Sequence, residues 1–128
     1  MNSTAKVQTR KLTTEDLNEL IIESIQDIKG KNIVKLDLRK LHDSPTDYFI
    51  ICEGDSNTQV KAISDHIQKR LKQEMATFAS HVEGERSSLW VCLDYFTTVT
   101  HVFHRETRSF YELESLWSDA RVTHYDSL

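Results

Sequence analysis

The sequence predicts a mixed α/β fold of the α+β kind, a mixed β-sheet of about five strands flanked by helices. Segments of helical apolar spacing alternate with strand-like runs in the order αββαβββα. One of those runs, Tyr48-Phe49-Ile50-Ile51-Cys52, is apolar throughout, as a strand covered on both faces must be. A chain of 128 residues, 38% hydrophobic, with three Gly and one Pro, has the length and composition of one compact domain.

Residues 1–12 read as a mobile N-terminal tail: Lys6, Arg10 and Lys11 bring positive charge, and there is too little apolar surface to offset the entropy of ordering. The domain is expected over residues 13–120. Thr13 or Thr14 is the cap of a first helix, whose stripe is Leu17, Leu20, Ile21, Ile25 and Ile28, with Gly30 as its stop. Val34, Leu36 and Leu38 then alternate with Lys35 and Asp37 in a half-buried strand. A break around Asp43-Ser44-Pro45-Thr46 leads into the central apolar strand.

Glu53-Gly54-Asp55 ends that strand, and Ser56-Asn57-Thr58-Gln59 has the form of a capping box opening a second helix with the stripe Val60, Ile63, Ile67 and Leu71. That helix is expected to cross over the sheet to a short strand, Phe78 to Val82. A turn at Glu83-Gly84-Glu85 follows, then a hairpin of Leu89–Asp94 and Thr98–Phe103 joined by a four-residue link. Phe110, Leu113 and Trp117 form the core stripe expected of a last helix, and residues 121–128, without periodicity, a C-terminal tail.

Sixteen Lys and Arg against twenty Asp and Glu give a net charge of −4, a poor match to nucleic-acid phosphate and a good one to a basic protein. No run approaches the ~18 apolar residues of a membrane span, and no signal-peptide pattern opens the chain, so a cytoplasmic protein is expected. Cys52 and Cys92 lie in strand-like runs without C-x-x-C spacing, as buried free thiols do.

Several blocks follow one another in a distinctive order: Thr46-Asp47-Tyr48-Phe49-Ile50-Ile51-Cys52-Glu53-Gly54, Gln59-Val60, and Ala62-Ile63-Ser64-Asp65-His66-Ile67. Downstream come Glu83-Gly84, Trp90, Asp94-Tyr95, His101-Val102-Phe103, and Arg108-x-Phe110-Tyr111-x-Leu113-Glu114-x-Leu116-Trp117. Over roughly residues 15 to 120 this series resembles the ribosomal silencing factor family, also called RsfS or Iojap. The resemblance implies a nucleotidyltransferase-like fold and a non-enzymatic role. Such a protein binds the large ribosomal subunit through ribosomal protein L-fourteen and blocks joining of the small subunit, repressing translation when nutrients are scarce. It also implies a homodimer away from the ribosome. The partner-binding surface carried over is the hairpin around Trp90, Asp94, Tyr95 and His101, with Glu83 and Phe103 beside it. The family commonly has Asp-Tyr-Gly-Asp where this chain has Phe96 and Thr97 in place of the Gly and the second Asp.

The residues alone allow the same kind of surface: Trp90 and Tyr95 as aromatic anchors, with Glu83, Glu85 and Asp94 as an acidic rim. A Trp in a strand is as readily a core residue. Two other readings stand beside silencing. A biogenesis adaptor would hold an immature large subunit by the same surface. A metal-dependent nucleotidyltransferase would need an Asp-x-Asp/Glu pair on a strand after Gly54-Asp55-Ser56; only Glu83-Gly84-Glu85 has the spacing, and its Gly reads as a turn. His101 and His104, three apart in a strand, point to opposite faces and make no metal pair, while His66 and His81 have no ligand-spaced companion. Neither a catalytic residue, a metal nor a cofactor is expected.

Overall fold

The computed structural model describes residues 11–128. The tail expected over residues 1–12 falls for the most part outside them. Helix α1 spans Thr14–Asp27 and opens on a complete capping box. The Thr13 side chain accepts from the Asp16 amide at 3.1 Å, and Asp16 Oδ2 accepts from the Thr13 amide at 2.9 Å. The chain leaves the helix through Lys29 at φ 62° and a bond from the Gly30 amide to the Ile25 carbonyl at 2.9 Å.

Strands β1 (Lys31–Asp37) and β2 (Tyr48–Gly54) follow, then α2 (Asn57–Met75). Ser56 caps α2 by accepting from the Gln59 amide at 3.1 Å. The expected box closes one residue further back, because Gln59 Oε1 accepts from the Asp55 amide at 2.7 Å, while Gln59 Nε2 donates to the carbonyls of Ile28 and Lys29. One side chain thereby ties the start of α2 to the end of α1. Beyond α2 come β3 (His81–Glu83), β4 (Trp90–Asp94), β5 (Thr98–His104), α3 (Arg105–Tyr111), a 3₁₀ turn (Leu113–Trp117) and β6 (Arg121–Tyr125).

The six strands form one sheet in the order β3-β4-β5-β2-β1-β6, with β2 and β5 parallel and every other pair antiparallel. Helix α2 thus carries the chain from the middle of the sheet to its β3 edge, and the hairpin brings it back beside β2. On one face α1 and α2 bury Ile21, Ile25, Ile63, Ile67 and Leu71 against Ile50, Cys52, Leu93 and Val102. On the other, Val34, Leu36, Phe49, Ile51 and Phe103 pack under Leu113 of the 3₁₀ turn.

Three expectations are corrected. Residues 121–125 do not trail away: they pair antiparallel with β1 as a sixth strand, placing Val122 opposite Leu36 and Tyr125 opposite Ile33. The last helix is not continuous, since Glu112 takes the left-handed conformation (φ 47°, ψ 51°), so Phe110 and Leu113 fall on different elements and Phe110 is 79% exposed instead of in the core. The strand after α2 begins at His81, and Phe78 lies exposed before it.

Candidate functional site

Alternation along β4 decides where the candidate residues go. Trp90, Cys92 and Asp94 point to the face covered by α3, and Val91, Leu93 and Tyr95 to the face covered by α1 and α2. The register places Glu83 opposite Cys92 and Cys92 opposite His101, and Trp90 opposite Phe103. Glu83, Trp90, Asp94, His101 and Phe103 therefore share one face. Tyr95 does not join them.

Tyr95 is 4% exposed, packed in the α1/α2 core with its hydroxyl unpartnered, and burial pushes its phenol up to about 12. The expectation that Tyr95 and Trp90 form a joint aromatic anchor is corrected: residues five apart on a continuous strand face opposite ways. Phe103 is fully buried and His101 nearly so. They support the surface from beneath.

Trp90 is half-buried, and its indole is fixed on three sides. It stacks on Phe103 with centroids 4.8 Å apart, meets the Tyr111 ring at 5.1 Å, and donates from Nε1 to His101 Nδ1 at 3.0 Å. The series continues through His101 edge-on to Phe49 at 4.6 Å and Phe49 edge-on to Trp117 at 5.9 Å. Because His101 Nδ1 accepts, the ring proton sits on Nε2, which is buried without a partner. Burial holds this imidazole neutral, its pKa lowered to about 4.

The open side of the indole meets a groove of about 360 Å³, lined by Leu89, Thr107, Phe110 and Tyr111 with Ser87 and Glu106 at its margin. Leu89, Phe110 and Tyr111 are all exposed, a contiguous apolar shelf beside Trp90. Reading Phe110 as core concealed it. The helical spacing of Phe110, Leu113 and Trp117 assumes a helix unbroken at Glu112, so it gave no sign of this exposure.

Two features hold the shelf in place. Gly84, at φ 88°, lies so close to the Trp90 carbonyl that an added Cβ would stand 1.9 Å from its oxygen, so the turn before β4 excludes any side chain. Arg108 of α3 is buried and clamps the helix to the sheet, donating to Glu53 Oε1 at 3.1 Å, Glu114 Oε2 at 2.9 Å and the Asn32 carbonyl at 2.6 Å. Sequence reasoning assigned Arg108 no role.

Asp94 is half-buried and spends its carboxylate on the hairpin link, accepting from the Phe96 amide at 2.8 Å. Phe96 itself adopts φ 69° and is 76% exposed. The left-handed turn that a glycine would adopt is thus kept by a phenylalanine. Glu83 is exposed at the β3 edge.

Burial raises Cys52 to about 12 and Cys92 to about 11, so neither thiol ionises near neutrality, and both are free. Asp55 is paired with Lys31 at 2.7 Å. Among the described residues no group of three or more His, Cys, Asp or Glu is placed to hold a metal ion, and no helix is long and apolar enough to cross a membrane.

The sequence pattern described as "Ribosomal silencing factor during starvation" matches residues 11–128. The chain is 35% identical over 109 residues to ribosomal silencing factor RsfS of Halalkalibacterium halodurans, covering 85% of this chain and 92% of that protein. A crystal structure of a Chromobacterium violaceum protein superposes with a TM-score of 0.79 at 37% identity, covering 84% of this chain and 88% of that one. The mouse protein named "Mitochondrial assembly of ribosomal large subunit protein 1" is 36% identical over 75 residues, 57% of this chain and 33% of its own length. The chain belongs to the RsfS family of ribosomal silencing factors.

Proposed function

We propose that the protein binds the large ribosomal subunit through ribosomal protein L-fourteen and blocks joining of the small subunit by occupying the mating surface. The observation that carries this is the apolar shelf of Leu89, Phe110 and Tyr111 around a half-buried Trp90, with Glu106 in its lining and Glu83 on the same sheet face, on a chain of net charge −4. Aromatic anchors with an acidic margin suit a basic protein seated on RNA, and Tyr and Trp are the side chains most often dominant at such contacts. Trp90 is preoriented by Phe103 and His101, which lowers the entropy lost on binding. No bond need be made or broken for inhibition: exclusion by volume suffices, and the role is regulatory, exerted in the cytoplasm where translation occurs. Away from the ribosome, the same shelf is the surface a second copy would cover.

The test is co-sedimentation with isolated large subunits, small subunits and joined ribosomes, with subunit joining followed by light scattering. Binding to large subunits alone, with joining suppressed and both effects lost in Trp90→Ala, is the expected result. Binding to neither subunit would overturn the proposal. A biogenesis adaptor is the second reading, favoured by the mouse relative's name. It requires that loss of the protein change large-subunit precursors while mature subunits join at their ordinary rate.

A further inference from the structure

The groove beside Trp90 has an electrostatic character that its apolar area does not explain. Three aromatic rings line it, those of Trp90, Phe110 and Tyr111, and they are inclined steeply to one another. Phe110 meets Tyr111 at 5.1 Å with 88° between the ring planes, and Tyr111 meets Trp90 at 5.1 Å and 48°. Rings set at such angles make walls instead of one flat platform. Each carries negative charge density on its face, so the space they bound suits a cation better than a neutral group of the same shape.

The polar groups of the groove have the same sign. Its one charged residue is Glu106, exposed and in no ion pair among the described residues. No cationic side chain lines the groove: Arg105, next to Glu106 on α3, lines the separate concavity beside Asn32 and Glu53. The Trp90 Nε1–H, which would otherwise offer positive charge to a ligand, is spent on the buried His101 at 3.0 Å.

We propose that this groove receives a cationic side chain of the protein partner, held between the rings and against the Glu106 carboxylate. A guanidinium does both at once, stacking its plane on a ring while its N–H groups donate to the carboxylate. The inference rests on the reading of the shelf as the surface that meets the partner, and adds what the partner must present there. An aliphatic side chain would gain the same apolar contact but would strip water from Glu106 without giving it a partner. An anionic one would meet ring faces and carboxylate with the wrong sign. Selection at the groove is therefore by charge.

The experiment has two arms. In the first, the ¹⁵N,¹³C-labelled full chain is titrated with Nα-acetyl-arginine amide and with Nα-acetyl-citrulline amide, which keeps the length and planar end group and lacks the charge. The ring resonances of Trp90, Phe110 and Tyr111 are followed. The arginine compound is expected to move all three, with the citrulline compound at least about threefold weaker. In the second arm, large-subunit sedimentation compares the unaltered chain with Phe110→Leu, which stays apolar but loses the ring face, and Glu106→Gln, which loses the charge. Each should weaken binding about fivefold or more. Both positions are exposed, so the melting temperature should not change. Equal responses to the two amides, or no ring shifts in the millimolar range, would overturn the proposal. Variants that bind large subunits as tightly as the unaltered chain would also overturn it, and would assign the groove to an aliphatic side chain. The arms keep this inference apart from the reading beneath it. If the unaltered chain fails to bind large subunits, that reading falls and the ring resonances still decide the cation site; if binding ignores both substitutions, the cation site falls and the reading stands.

Discussion

The two faces of this sheet are built for different ends. One is closed by two helices of 14 and 19 residues, and its core is almost wholly aliphatic, with Ile21, Ile25, Ile50, Ile63, Ile67 and Leu71 all at zero exposure. The other is covered by a seven-residue helix and a 3₁₀ turn, is rich in rings, and leaves Leu89, Phe110, Tyr111 and part of Trp90 open. Stability resides mainly on the first face, and the proposed recognition surface lies on the second. A short helix can be fixed in position only by something other than its own buried area, and Arg108 supplies that.

The sharpest way to test this division is a pair of tyrosines. Tyr95→Ala should cost roughly 3–5 kcal/mol of stability in urea denaturation, because it empties a buried site on the helix-covered face. Whatever protein remains folded should bind large subunits normally. Tyr111→Ala removes an exposed ring and should shift stability by under about 1 kcal/mol while weakening binding clearly. The reverse pattern would place the recognition surface on the other face.

Arg108→Ala should cost about 3 kcal/mol, since it leaves Glu53 without its partner in a largely buried setting. Its effect should reach further than stability. With the clamp gone, α3 loses its fixed distance from β2, and binding should fall although no shelf residue has changed. Hydrogen exchange confined to residues 105–117 would register the loosening, and a uniform change across the sheet would argue against a local clamp.

His101 gives the ring-lined face a pH signature. Its folded pKa, about 4, lies below the ordinary histidine value of about 6.5, so the unfolded chain binds the proton more readily. The stability contributed by the neutral ring is fully present above about pH 6.5 and is lost as pH falls toward 4, at up to roughly 1.4 kcal/mol per unit. Protonation would also remove the acceptor for Trp90 Nε1. Urea denaturation between pH 7 and 4.5 should show the slope, and His101→Phe should flatten it; an unchanged slope in the variant would assign the effect to other groups.

Elements with strong periodicity or a clear cap were legible in the sequence: α1 with Thr13, α2 with Ser56, the continuous strand β2 and the β4–β5 hairpin. What escaped depends on contacts between distant segments. β6 is exposed at four of five positions, so no buried face marks it despite Val122, Thr123 and Tyr125, and pairing with β1 defines it. The break at Glu112 requires a left-handed residue that carries no Gly or Asn signal. The aromatic face was partly visible, since Trp90, His101 and Phe103 were recognised as a group. The separation of Tyr95 from Trp90 followed from strand alternation, whereas the exposed position of Phe110 needed the helix break to be known.

The smallest expected effect concerns the hairpin link, where the resemblance implies a glycine and this chain has Phe96. Phe96 holds φ 69° with its ring 76% exposed, so the side chain gains little burial to offset the left-handed backbone, which costs an L-residue roughly 1–2 kcal/mol. Its backbone is retained because Asp94 accepts from its amide at 2.8 Å and Thr46 Oγ1 donates to its carbonyl at 2.6 Å. Phe96→Gly should therefore stabilise the protein by up to about 1 kcal/mol, with part of the strain relief returned as added flexibility of the unfolded chain. Phe96→Ala keeps the strain and removes the ring, which separates the two contributions. If Phe96→Gly is neutral for stability yet weakens large-subunit binding, the ring belongs to the recognition surface, and that surface extends from the Trp90 shelf along the hairpin to its tip.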